Sequence, residues 1–120
     1  MAAVEREGYI VTTTTTLARS KSSVVLPERF AVEVTADDIM HGRRCDANMC
    51  PLALAVARWL RNQRIPFLTV LVTHTDLTIN FGLDTLVQVQ HYWHDGVSLV
   101  SDFDHGEIVG PRTVVLARLP

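Results

Sequence analysis

One segment of the chain, residues 51–63, has the spacing of an amphipathic helix, and it constrains the fold more than any other feature. Pro51 suits the first position of a helix, because its missing N–H would have no intrahelical partner there. Pro66 prevents the helix from continuing far beyond Gln63. Between them, apolar side chains recur at intervals of three and four residues, at Leu52, Ala55, Val56, Trp59 and Leu60. The pattern predicts one main helix with a single buried face.

The segments on either side of this helix alternate between apolar and polar residues, which is typical of strands with one buried face. The predicted strands are residues 30–35, 67–73, 77–81, 86–93 and 113–119. A short helix is predicted to begin at Thr35 and end at Gly42, since acidic residues follow Thr35 and suit a helix N-terminus. Another short helix is predicted between Val97 and Gly106.

Strands and helices in this order predict an α+β fold. We expect a mostly antiparallel sheet packed by the main amphipathic helix, about 51–63, together with the short helices. Residues 9–18 are rich in β-branched side chains, which predicts a further strand. Residues 24–26 predict a short one. The length of 120 residues predicts one domain over 1–120, in which 1–29 either joins the sheet or forms a peripheral or swapped β-rich arm.

The net charge of −2 excludes two classes of protein. A general nucleic-acid coat protein would be strongly basic, and an acidic DNA mimic would carry a large excess of carboxylates. No apolar run approaches the length of a membrane span, and the first residues, Met1 to Gly8, lack the pattern of a secretory signal. We therefore expect a cytoplasmic protein with no membrane partner.

Two cysteines, Cys45 and Cys50, lie on either side of a short stretch before the main helix. A reducing compartment makes a disulfide between them unexpected. Cys50 directly precedes Pro51, where the helix dipole favours a reactive thiolate. Cysteine-dependent activity at Cys50 is therefore one hypothesis, and a small buried thiol is the other. No motif supplies a base or an oxyanion site, so the sequence does not favour an enzyme.

Three residues before the main helix are of types that bind metal ions. His41, Cys45 and Cys50 are residue types that bind zinc, but their spacing is not that of the compact structural zinc modules. His91 and His94 would point to opposite faces of a strand and could not share an ion there. The sequence predicts neither a metal nor a cofactor.

Arginines are concentrated around the main helix and the loop before it. Ten of the eleven cationic residues are arginine, which codon bias in a GC-rich genome explains and phosphate recognition would also explain. A positive patch here would bind nucleic acid or a phosphate ligand in a salt-dependent way, and a solvated helix face is the alternative. The candidate contact residues are Arg43, Arg44, Arg58, Arg61 and Arg64.

Tyr92 and Trp93 are neighbours in the predicted strand 86–93. A helix stays open for this segment, because apolar residues fall on both of its faces. If it is a strand, the two rings cannot both face the core. Tyrosine and tryptophan are common anchors of protein interfaces, so both are candidate contact residues and one of them is expected to be the anchor.

Three separated motifs are similar to those of one group of proteins. They are residues 32–39 followed by Gly42, then residues 50–55, and then residues 103–109 leading to Pro111. This order resembles small uncharacterised proteins encoded by bacteriophages and by prophage regions of GC-rich bacteria, over roughly residues 30–120. The resemblance carries no known activity and transfers no catalytic residue. It implies an accessory phage protein in the cytoplasm of a bacterial host.

The leading functional hypothesis is an accessory protein that binds a host protein. Inhibition of a host defence system, such as a CRISPR nuclease, is its most specific form. A homodimer is also predicted, since sheet edges are exposed. The alternatives are a nucleic-acid or phosphate-ligand binder that uses the arginines, and a cysteine- or metal-dependent activity at Cys50.

Overall fold

The computed structural model describes residues 26–82 and 88–120. Within them, five strands and three helices form the α+β fold that the sequence predicts. In chain order the elements are β1 (Arg29–Val34), α1 (Ala36–His41), α2 (Pro51–Asn62), β2 (Thr69–Val72), β3 (Asp76–Asn80), β4 (Val89–His94), α3 (Val97–Asp104) and β5 (Arg112–Arg118).

The five strands form one sheet in the spatial order β1-β5-β4-β3-β2. Every neighbouring pair is antiparallel, which confirms the predicted sheet type. The strands β2, β3 and β4 follow one another along the chain, and β5 returns to lie between β4 and β1. The strands β1 and β2 are therefore the two edges of the described sheet.

The short helix α1 begins where the sequence predicts. The Thr35 hydroxyl accepts the N–H of Asp38 at 3.2 Å, and a carboxylate oxygen of Asp38 accepts the N–H of Thr35 at 2.9 Å. This reciprocal cap satisfies two N–H groups that the first turn of a helix leaves without partners. Gly42 ends α1, and a Cβ atom there would lie 2.7 Å from Cδ of Pro51. Only glycine therefore lets the chain pass this close to the start of α2.

The main helix α2 buries the apolar face that its periodicity predicts. Leu52, Val56 and Leu60 have no measurable exposure. Trp59 is partly buried and stacks on Phe30 of β1, with 4.1 Å between the ring centroids. The helix packs on the sheet and closes the core between them, whose largest fully buried side chains are Tyr92, Leu52, Leu60, Leu77, Ile79, Leu99 and Leu116.

The main differences from the sequence prediction lie at the ends of strands. β2 begins two residues later than predicted and stops at Val72, because Thr73 belongs to the turn and accepts a hydrogen bond from Asp76. β4 begins at Val89 and is a strand in the described residues, while residues 83–87 lie outside them. The strand predicted at 9–18 and the first two residues of the one predicted at 24–26 also lie outside the described residues, and Leu26 is not part of a strand. Arg29, the last residue of the predicted arm, already belongs to β1.

None of the helices in ranges 26–82 and 88–120 has both the length and the apolar content needed to cross a bilayer.

Candidate functional site

The two faces of the sheet have different surroundings. Successive side chains of a strand point to opposite faces, and one set packs against the core on the helix side. We call this the inner face; its residues include Val32, Leu77, Tyr92 and Val114, which are buried. The other set forms what we call the outer face. Its side chains are exposed or partly exposed throughout the described strands.

Trp93 lies near the middle of the outer face. It is paired with Asp76 of β3 on one side and with Ala117 of β5 on the other. Arg29 of β1 is paired with Ala117 in turn. The side chain of Trp93 is 41% exposed, which is a large exposed fraction for an aromatic residue in the middle of a sheet.

Further apolar side chains lie on this face, on one side of Trp93 along the strands. Thr78 and His91 lie between Leu71 and Leu119 on this face, and their side chains are hydrogen-bonded to each other at 2.9 Å. Two charged residues, Arg29 and Asp76, lie in the same cross-strand row as Trp93. Aromatic residues and arginine are enriched in protein interfaces relative to the rest of the surface. Exposed large hydrophobic residues on the outer face are Leu71, Val89, Trp93 and Leu119.

Tyr92 and Trp93 divide between the faces as a strand requires. Tyr92 has no measurable exposure, and its hydroxyl donates to the carbonyl of Pro27 at 2.7 Å. Its ring meets Phe30 edge-on at 5.1 Å between centroids, and burial raises the pKa of its hydroxyl. Tyr92 is therefore part of the core and is withdrawn as a candidate contact residue, which leaves Trp93.

A hollow of about 460 Å³ adjoins the outer face where β1 and β5 lie side by side. Three of its residues, Arg29, Ala117 and Leu119, are in phase with the outer face. Its full lining is Glu28, Arg29, Ala117, Arg118, Leu119 and Pro120.

A second candidate site is a cavity of about 280 Å³ beside the start of α2, whose lining includes potentially reactive side chains. Cys45 is exposed there and has a positive φ of 57°, a conformation that is unusual for a residue with a side chain and often marks a functional site. Its N–H donates to a carboxylate oxygen of Asp104 at 2.9 Å. The cavity is lined by Cys45, Asp46, Ala47, Cys50, Val72, Thr73, His74, Val100 and Asp104.

Cys50 lies at the N-terminus of α2, where the sequence analysis considered a reactive thiolate. In the structure Cys50 is buried, with 4% of its surface exposed. Burial raises the pKa of its thiol, although backbone N–H groups of the helix start act in the other direction. Desolvation therefore exceeds the effect of the helix N-terminus. Of the two cysteines, Cys45 is the one that solvent reaches.

The candidate metal ligands are not brought together as one ligand set. The Nδ1 atom of His41 is hydrogen-bonded to the carbonyl of Asp37 at 2.9 Å, and His41 does not line the cavity that Cys45 and Cys50 share. His91 is exposed on the outer face, while His94 is 1% exposed on the inner face. Among the residues that the structure describes, no three histidine, cysteine or acidic side chains are placed to hold a metal ion.

Arg58 has a structural role in the described fold. Its guanidinium donates to both carboxylate oxygens of Asp38, at 2.6 and 2.9 Å, and to the carbonyl of Glu33 at 2.7 Å. Burial by itself would raise the pKa of Asp38, but hydrogen bonds from Arg58 and Thr35 outweigh it and hold that pKa below its usual value. Arg58 thus joins α1, α2 and β1.

The remaining four arginines of the predicted patch lie at the two ends of α2. Arg43 and Arg44 precede the helix, and the guanidinium of Arg44 lies against Gly106. Arg61 and Arg64 are exposed at its other end. The helix between them has 12 residues and is about 18 Å long. Nucleic-acid binding through all of them stays a prediction.

Several residues of the outer face and of the cavity were not predictable from local sequence patterns. Arg29, Asp76 and Ala117 flank Trp93 only through strand register, which hydrophobic alternation along one strand does not reveal. His74 and Asp104 reach the cavity from the β2–β3 turn and the end of α3. No protein-family model, curated protein or solved structure matches this chain. Its function is therefore inferred from these two places in the fold.

Proposed function

We propose that this protein acts by binding another protein through the outer face of its sheet, with Trp93 as the central contact, and that it is not an enzyme. The observation that supports the proposal is the position of Trp93, 41% exposed at the middle of a face that no described helix covers. Tryptophan is enriched among the residues that dominate binding energy, particularly near the centre of an interface.

An antiparallel sheet with one solvated face is stable when that face is polar. Apolar side chains there lose the benefit of burial, about 25 cal/mol for each Å² that stays in water. Leu71, Val89 and Leu119 add such area on the same face as Trp93. A binding partner would recover it.

The resemblance to phage accessory proteins favours a host protein as this partner. A defence factor such as a CRISPR nuclease is the most specific form of the proposal. Inhibition by steric blocking requires a rigid surface and no reactive site, and a five-stranded sheet supplies such a surface.

The test compares capture of host proteins by the tagged full-length chain and by Trp93→Ala. The matched control is Ile108→Ala, which truncates a fully exposed apolar residue (101%) in the loop after α3. We expect a partner that the wild type and Ile108→Ala enrich equally and that Trp93→Ala loses by about tenfold or more. Equal enrichment by all three proteins, or none by the wild type, would contradict a host protein as the partner on this face.

Cysteine-dependent chemistry is a second candidate function, favoured by the cavity that holds Cys45, His74 and Asp104. A thiol, an imidazole and a carboxylate are the groups of a cysteine nucleophile with its base. The accessible nucleophile would be Cys45, because Cys50 is buried. If His74 activates this thiol, iodoacetamide should modify Cys45 several-fold more slowly in His74→Gln at pH 7. An unchanged rate would dismiss this candidate.

A further inference from the structure

A row of four outer-face residues crosses four strands of the sheet. Strand register places them in the order Arg29, Ala117, Trp93 and Asp76, on β1, β5, β4 and β3. A cation and an anion therefore occupy the two ends of the row. A small residue and a large aromatic residue occupy the middle.

This row is complementary to itself. A twofold axis parallel to the strands, between β5 and β4, reverses the order of the row in a second copy facing the first. Arg29 of one copy then faces Asp76 of the other, and Trp93 faces Ala117. Both matches occur twice, because an interface with twofold symmetry is isologous.

We propose that the partner on the outer face is a second copy of this chain, arranged about that axis. This rests on the proposed function, in which the outer face is a protein-binding surface, and it places a second copy rather than a host protein on that face. The two sheets would pack face to face about 10 Å apart with nearly aligned strands, as in a β-sandwich.

The hollow beside Ala117 supplies a matching shape. Its volume is about 460 Å³, and Arg29, Ala117 and Leu119 contribute to its lining. Trp93 is the large side chain next to Ala117 in the same row. In the proposed dimer, the indole of each copy enters the hollow of the other, so that each aromatic anchor has a pocket.

The charged ends of the row are available for pairing. Arg29 and Asp76 are both exposed. Within residues 26–82 and 88–120, neither side chain makes a hydrogen bond or an ion pair. The twofold arrangement gives each an oppositely charged partner, and such complementarity fixes the register and orientation of an interface.

Reversal of charge at each end of the row tests the arrangement. The measurement is the light-scattering mass of the full-length chain, with 13.4 kDa expected for a monomer. Arg29→Asp alone places two acidic residues opposite each other, and Asp76→Arg alone places two basic ones. Each should raise the dissociation constant of the dimer by about tenfold or more. Arg61→Asp, which reverses an exposed charge at the end of α2, is the matched control and should leave it unchanged.

Mixing the two variants gives the sharper result. An Arg29→Asp chain facing an Asp76→Arg chain restores both attractive pairs, so an equimolar mixture should form a heterodimer from two monomeric solutions. The double variant should again form a homodimer. Circular dichroism checks that each single variant is folded, and the recovery on mixing is a result that unfolding cannot imitate.

The other outcomes separate the two proposals. A wild-type monomer at the highest soluble concentration would overturn the dimer. If Trp93→Ala still loses a host partner that the wild type binds, the proposed function stands alone. A wild-type dimer that neither charge reversal nor Trp93→Ala weakens uses another surface, and it would also overturn this inference. A monomer in which other residues of the same chain shield Trp93 would overturn the inference as well.

Discussion

Tyr92 and Trp93 are adjacent in β4, yet their exposed fractions are 0% and 41%. The inner face places Tyr92 against Phe30 and gives its hydroxyl a hydrogen-bond partner. The outer face places Trp93 among smaller side chains and solvent. Packing in the core explains why a tyrosine stands at position 92, whereas the fold does not explain why a tryptophan stands at position 93. The comparison therefore indicates that the inner face specifies the fold, and it supports our proposal that the outer face is a binding surface.

Truncation of the two aromatic residues should give opposite results. Tyr92→Ala removes a fully buried ring and its hydrogen bond, and should lower the free energy of unfolding by about 3 to 5 kcal/mol. Trp93→Ala should change the stability of the monomer by less than about 1 kcal/mol and prevent dimerisation. Urea unfolding and light-scattering mass measure the two effects. Similar losses of stability in both variants would remove the distinction between the faces.

Substitutions of Arg58, on the helix side of the sheet, and of Arg29, on the outer face, test the same difference between the two faces. Arg58→Met leaves the carboxylate of Asp38 buried without its main partner. We expect a loss of about 2 kcal/mol, less than for a fully buried pair because 38% of the Arg58 side chain is exposed. Arg29→Asp should change monomer stability by less than about 0.5 kcal/mol.

The control for Arg58→Met is the double variant Arg58→Met with Asp38→Asn, in which no charge is left unpaired. It should recover part of the loss measured by urea unfolding. A single variant as stable as the wild type would show that the ion pair does not hold α1 to α2.

His94 gives the inner face a pH dependence. Gly96 donates its N–H to Nδ1 at 3.0 Å, so Nε2 carries the proton and donates to the carbonyl of Thr73 at 2.8 Å. Burial lowers the pKa of His94, against smaller opposing effects of the hydrogen bond to the Thr73 carbonyl and of the charges on Asp76 and Asp95. The neutral form is therefore the one that the fold accommodates.

The unfolded chain takes up this proton before the folded chain does. The contribution of His94 to stability should be complete above about pH 6.5, the ordinary histidine pKa. It should fall by up to about 1.4 kcal/mol for each pH unit below that, until the lower pKa of the folded state is reached. Urea unfolding at pH 7.5 and 5.5 should show this excess loss in the wild type relative to His94→Gln. Equal losses in both proteins would contradict it.

The smallest predicted effect separates stability from association. Arg64 follows α2 with a φ of 59°, and the N–H of the next residue, Ile65, donates to the carbonyl of Leu60. Glycine adopts this left-handed conformation without steric cost. Arg64→Gly should therefore raise the free energy of unfolding by about 1 kcal/mol or less, which thermal unfolding measures as a higher melting temperature. The dissociation constant of the dimer should stay the same. A change in dimerisation would mean that the end of α2 takes part in the contact.

The regular elements were predictable from local patterns. The apolar spacing of 51–63 predicted α2, and Thr35 with the following acids predicted the start of α1. Strand order and register depend on contacts between distant segments, so the row that contains Arg29 and Asp76 was not predictable. Burial of Cys50 and the ion pair of Arg58 depend on packing between elements. Local sequence left both a reactive and a buried thiol open at Cys50, and it indicated a solvent-facing cation at Arg58.

Exposure of the Trp93 indole to a soluble quencher tests the role of the outer face most directly. Trp59→Phe keeps an aromatic ring on Phe30 and leaves Trp93 as the only tryptophan of the chain. Acrylamide quenching of its fluorescence is then measured over a dilution series. If two copies meet on this face, Trp93 is shielded at high protein concentration and becomes accessible as the dimer dissociates. Strong quenching that does not change with protein concentration would contradict that arrangement.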